Sequence, residues 1–214
     1  MNDNLARRIV QSCIDVGFTI FGSYVREHVC EHIFDPEISD IDVFSEKSGL
    51  SHFIEVMKEI ECDIERRHVE HVSYERILPG KRETDLLVHH LYVVSQDGGR
   101  VMVDFVRGPP QSQPPFGLLD FECNMFVWDK DGVRLSRQTG TEIDKLVPYF
   151  LKLKENTIIK DAKEKVTTYI IPERLEPFTK EFAPNSFGEV RRLRVEKLLA
   201  AGWTIKNIND CDKV

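Results

Sequence analysis

Asp40-Ile41-Asp42 sets two carboxylates two residues apart in the run Ile38-Ser39-Asp40-Ile41-Asp42-Val43-Phe44. Its alternation predicts a β-strand, which puts Asp40 and Asp42 on one face. Paired acids of this kind suit a hard divalent cation, which takes oxygen ligands and commonly bridges protein to phosphate. Gly22-Ser23 stands earlier, with sixteen residues between Ser23 and Asp40. It follows the apolar, β-rich residues 16–21 and precedes Val25, Val29 and Ile33, which recur at helical spacing. Gly-Ser therefore falls where a strand feeds a helix. A glycine there lets backbone approach a ligand closely, and the serine adds a hydroxyl beside unpaired N–H groups. A third acid, Asp104, interrupts the apolar run Arg100-Val101-Met102-Val103-Asp104-Phe105-Val106. A carboxylate in such a strand is costly unless paired, metal-bound or exposed.

These elements must be carried by a scaffold, and the sequence around them is consistent in period. Leu5, Ile9, Val10 and Cys13 make an apolar stripe that predicts a helix over residues 5–15. Residues 48–57 predict another, capped by Ser48 or Ser51. Residues 85–94 and 101–106 flank Gln96-Asp97-Gly98-Gly99, a hairpin signal with glycines where positive φ is needed. That hairpin makes Asp104 the centre of a paired strand. Asp85, at the hairpin's start, is an alternative third acid, and Asp104 is preferred for its place inside the strand.

In this order, the apolar strand, Gly22-Ser23, the helix, Asp40-x-Asp42 and the later strand acid Asp104 resemble the polymerase-β-like nucleotidyltransferase superfamily. The resemblance spans roughly residues 5–107, about half the chain. Its Gly-Ser to Asp-pair spacing is longer than the compact family form, through the turn-like Phe34-Asp35-Pro36-Glu37. The resemblance implies that Gly22 and Ser23 bind a triphosphate. It also implies that Asp40 and Asp42 hold Mg²⁺ or Mn²⁺, and that Asp104 completes the metal site and helps activate an attacking hydroxyl. The implied reaction moves a nucleoside monophosphate from an NTP to a hydroxyl and releases pyrophosphate. Family acceptors include RNA ends, protein side chains and small molecules, and this chain's acceptor is not legible. The competing reading keeps the fold as a catalytically silent, nucleotide- or protein-binding module. A third is an unrelated α/β enzyme with an accidental motif, and an Asp104 beyond a side chain's reach of Asp42 would decide in its favour.

With 214 residues, the chain has room for a proper core, and 41% hydrophobic with 30% charged residues describes an ordinary globular protein. A net charge of −7 speaks against a general nucleic-acid coat, which would be basic. No run approaches the length of a membrane span, and residues 1–8 lack the apolar stretch of a secretory signal. Five scattered cysteines, an odd number, fit reduced thiols. Together these predict a cytoplasmic setting without membrane contact. His28 and His32 lie four apart, and with no second ligand pair they read as a solvated helix face.

The expected fold class is α/β in the mixed (α+β) sense: a twisted sheet with flanking helices and a mainly helical C-terminal segment. Three parts are expected: a catalytic domain over 1–108, a Pro-rich loop and hairpin over 109–140, and the helical segment over 141–214. Four prolines within residues 108–115 mark the first boundary. Residues 123–128 and 133–135 flank Asp129-Lys130-Asp131-Gly132, a plain hairpin turn despite its likeness to a calcium loop. Further helices are expected at Ile143–Phe150, at Ile158–Val166 and over residues 187–199, the last stopped near Gly202. Arg191, Arg192, Arg194 and Lys197 make this last helix locally basic. They suit a triphosphate or an RNA backbone, but read first as a solvated face partly neutralised by Glu189 and Glu196. Lys81 and Arg82 carry a similar, weaker signal, and Trp203 reads as a core anchor.

Overall fold

A computed structural model describes residues 2–31, 40–45, 49–73, 85–108, 121–136, 155–169 and 186–208. The elements run α1 (Asn2–Asp15), β1 (Thr19–Phe21), α2 (Ser23–Val29), β2 (Ile41–Ser45), α3 (Leu50–Glu59), β3 (Cys62–Ser73), β4 (Asp85–Ser95), β5 (Arg100–Arg107), β6 (Phe126–Asp129) and β7 (Gly132–Leu135). Beyond these come α4 (Glu155–Lys163), β8 (Val166–Thr167), α5 (Ser186–Ala200) and β9 (Thr204–Ile205). The mixed α and β content matches the expected class. Among the described residues, seven strands form one sheet in the order β3-β4-β5-β2-β1-β6-β7. Every neighbouring pair is antiparallel except β2 with β5, which is parallel.

Alternation in the central strands decides what each face carries. Ile41, Val43, Val103 and Phe105 point into the main core with Ile20, Val93 and Val101, against α1 and α3. Phe105 packs edge-on to Phe18 at 5.8 Å between ring centroids, and lies 5.1 Å from Phe53 of α3. Asp42 and Asp104 take the intervening positions and so face the other side. There, one step along the strands, Phe44 and Val106 are buried in a small cluster with Phe21 and Val88.

The β4–β5 hairpin turns at residues 96–99, with Gly98 at φ +83°. The β6–β7 hairpin extends the same sheet through β1, and Asp129 Oδ1 accepts a hydrogen bond from the Asp131 amide within its turn. Several boundaries differ from the sequence-based expectation. α3 begins on Gly49 as its N-cap with no side-chain cap, so Ser51 is inside the helix and Ser48 lies outside the described residues. Val166, expected to continue a helix, instead starts β8, which pairs in parallel with β9. The chain turns out of α4 at Lys165, whose φ is +53°, and this ends the helical run.

The described C-terminal residues are not only helical, and they are tied to the sheet's far end. The Cys123 amide donates to Thr167 Oγ1 at 3.1 Å, and Phe121 bridges to Tyr169. Trp203 is 2% exposed, the anchor its sequence context predicts. Other expectations lie outside the described residues: the insert at 34–37, His32, Lys81 and Arg82, the Pro-rich run from 109, the helix at 143–150 and Cys211. Cys13, Cys30, Cys62 and Cys123 are free thiols. Among the described residues no helix is long and apolar enough to cross a membrane.

Candidate metal centre

The parallel pairing of β2 and β5 sets Asp42 directly beside Asp104 in register. Asp40, just before β2, completes a group of three half-buried acids that each offer an oxygen within 4.8 Å of the others. Asp104 is thus within a side chain's reach of Asp42. Among the described residues this is the one cluster of three or more His, Cys, Asp or Glu side chains at metal-binding distances. Asp85 stands five residues along β4 from His90, the residue paired with Asp104. At roughly 3.4 Å per residue, its backbone is about 17 Å from that rung.

Gly22 is built into the same site. Its backbone, at φ +74° and ψ −147°, caps α2 in a region essentially reserved for glycine. A Cβ added there would overlap Asp42 Oδ2 and come within 2.9 Å of Asp42 Cγ. The missing side chain is the space the carboxylate occupies. Ser23 is buried, and its hydroxyl donates to the Asp40 carbonyl at 3.3 Å, tying the turn to the start of β2. In this state the serine hydroxyl fixes the segment that carries Asp40.

The charges are poorly compensated. Burial, then the neighbouring Asp40 and Asp104, push the Asp42 carboxyl well above its ordinary value, with Lys197 and Arg26 pulling the other way. Burial and Asp40 likewise raise Asp104, while His90 opposes the shift. Carboxylates crowded in this way favour either a shared proton or a cation. An all-oxygen donor set of three carboxylates fits Mg²⁺ or Mn²⁺.

Three groups were not singled out as site residues by sequence reasoning, or were read as surface. His90 of β4 is in register with Asp104 on its other side, and its Nδ1 lies 2.8 Å from Asp104 Oδ1. Arg26 of α2 is buried at 8% exposure, with its guanidinium 2.9 Å from Asn124 Oδ1 and over the Trp203 ring. An arginine four residues after Gly22, in the helix that the Gly-Ser turn opens, is the signal the sequence offers. Lys197 belongs to the basic run of α5, and its charge lowers the Asp42 carboxyl against the upward push of burial and the other two acids. Arg192 instead pairs with Glu196 at 2.6 Å on the exposed side, as a solvated face would. His28 stacks on Trp128 at 4.1 Å.

No protein-family model matches the chain, and no curated protein matches its sequence.

Proposed function

We propose that this chain is a metal-dependent nucleotidyltransferase, of the kind its Gly-Ser, Asp-x-Asp and later-strand acid resemble. The reading rests above all on one observation: Asp40, Asp42 and Asp104 converge within 4.8 Å from segments some sixty residues apart in sequence. The interlock of Gly22 with Asp42 supports it, because it joins the two halves of the motif into one unit.

On this reading Asp40, Asp42 and Asp104 hold one or two divalent cations, Mg²⁺ or Mn²⁺. When bound, such ions neutralise phosphate charge and make a hydroxyl more acidic. Gly22 and Ser23 receive the β- and γ-phosphates of the NTP. The serine hydroxyl then exchanges, or shares, its bond to the Asp40 carbonyl. Lys197 and Arg26 supply positive charge that acts on the acids and would help to offset the negative charge of a triphosphate. Asp104, the acid on β5, accepts the proton of the attacking acceptor hydroxyl. Attack on the α-phosphorus forms one P–O bond and breaks the bond to pyrophosphate, so the chain's contribution is positioning and charge compensation.

The test is thermal unfolding with each ribonucleoside triphosphate plus Mg²⁺ or Mn²⁺, for wild type and for D40N/D42N. A ligand bound only by the folded state must raise its stability. The expected result is a metal-dependent upshift with at least one nucleotide, absent from the double variant. An upshift that survives in D40N/D42N would refute the assignment of the acids.

A further inference from the structure

One rung of the sheet runs, strand by strand, Asp42 of β2, Asp104 of β5, His90 of β4 and His68 of β3. Two acids and two imidazoles therefore stand side by side along one rung, Asp42 and Asp104 on the face opposite the main core. The His90 and His68 rings are stacked, with centroids 4.0 Å apart and planes 18° from parallel. His90 Nδ1 reaches Asp104 Oδ1 at 2.8 Å, with both side chains mostly buried.

His68 reaches this rung only because β3 is irregular. Arg66 pairs with Leu91, and the next pair is His68 with His90, so Arg67 is an extra residue. Without the bulge, Arg67 would stand opposite His90. The bulge moves the guanidinium away, to Tyr92 and Met102 Sδ, and sets a flat ring against the flat face of His90. Bulges that re-aim one side chain beside a site are a recurrent device.

We infer that His90 is a positioning residue for Asp104, held in its orientation by His68. The inference rests on the metal reading above and extends it to these two histidines. A carboxylate ionised on a metal is an acceptor only, so the bond to it must come from His90 Nδ1–H. With Oδ1 engaged, the carboxylate cannot rotate freely, and its remaining lone pairs are aimed for the cation and the acceptor proton. The packed His68 ring limits rotation of His90 in turn. Partners of this kind commonly change metal affinity or activity about 10–100-fold when removed.

Three substitutions separate this role from mere packing. H90F keeps a ring for His68 to stack on and removes the donor. H90N places its amide nitrogen the same number of bonds from Cα as Nδ1. H90Q, equally polar, places its nitrogen one bond further out, and stands in if H90F does not fold. Mn²⁺ binding is followed by loss of the free-ion electron paramagnetic resonance signal, which needs no acceptor or turnover. H90N is expected to bind within a few-fold of wild type, and H90F and H90Q about 10–100-fold more weakly. Equal binding by all four proteins overturns the inference, as does H90N binding as weakly as H90F. If wild type itself binds no Mn²⁺, the metal reading falls and this inference with it.

Discussion

Three carboxylates held together without a cation should burden the folded chain, so neutralising one should stabilise it. At the 4.8 Å limit within which their oxygens lie, two unit charges at an effective dielectric of about 20 repel by about 3.5 kcal/mol. Shedding the charge by proton uptake is no cheaper: about three pH units above the ordinary value, at about 1.4 kcal/mol each, cost about 4 kcal/mol at pH 7. Lys197 and Arg26 offset part of the repulsion. Taking that offset as about half leaves about 2 kcal/mol for D42N to relieve, which is about 4–8 °C in Tm for a chain of this size. The sign with pH follows from the direction of the shift. Asp42 binds its proton more tightly in the folded chain than in the unfolded one, so wild-type stability falls as pH rises above the ordinary value of 3.8. The advantage of D42N should be absent below about pH 4 and complete once pH passes the raised folded value. A cation at a hundred times its Kd returns about 2.7 kcal/mol to wild type and little to D42N, so the gap should close. Calorimetry from pH 4 to 8 in chelator, then in Mg²⁺ or Mn²⁺, reads all of this. D42N less stable than wild type in chelator at pH 7 would refute the reasoning, as would a metal shift of equal size in both proteins.

G22A should cost about 1–3 kcal/mol for its backbone region alone, and more for the overlap with Asp42. In a D42A background the cost should fall to the backbone share, so a double-mutant cycle by denaturant unfolding should be clearly non-additive; additivity would mean the two residues do not interlock. K197A should move two affinities in opposite directions, tightening Mn²⁺ a few-fold by removing a repelling charge and weakening NTP a few-fold. R192A should move neither, since Arg192 is paired with Glu196, and titration calorimetry on both variants checks this.

The sheet's centre was legible because its residues obey one period and one purpose. Val101, Val103 and Phe105 alternate with Asp104, and Asp97-Gly98 marks the turn, so a paired strand with an outward acid follows from local chemistry. That Asp42 and Asp104 are neighbours does not follow from any local pattern, because it depends on a parallel pairing across α3, β3 and β4. The resemblance to a known arrangement supplied that link. β3 was invisible for a physical reason. It is an edge strand of the described sheet, exposed at Asp63 and at Glu65 through Val69, so no alternation between core and solvent marks it. The bulge at Arg67, and with it the histidine stack, was hidden along with the strand. His90 shares a His-His pair with His89, and only the register says which ring faces Asp104. The influence of Lys197 on Asp42 is likewise tertiary: the basic run is plain in the sequence, and which of its charges acts on the acids is decided by where α5 packs.

Among the described strands of the main sheet, the one parallel pair, β2 with β5, has a consequence for how the protein lives in time. β4 and β5 meet through a short turn and need close only a small loop. β2 and β5 must find one another across more than fifty residues, a step with a high entropy cost and no early reward. We expect the acids to come together late, after the main folding barrier, with φ-values near zero for substitutions at Asp42 and Asp104. A cation that bridges them acts on the finished state and not on the route to it. It should leave the refolding rate nearly unchanged and slow unfolding by almost the whole of its stabilisation. Metal supply would then set how long each folded molecule persists, and not how quickly it forms.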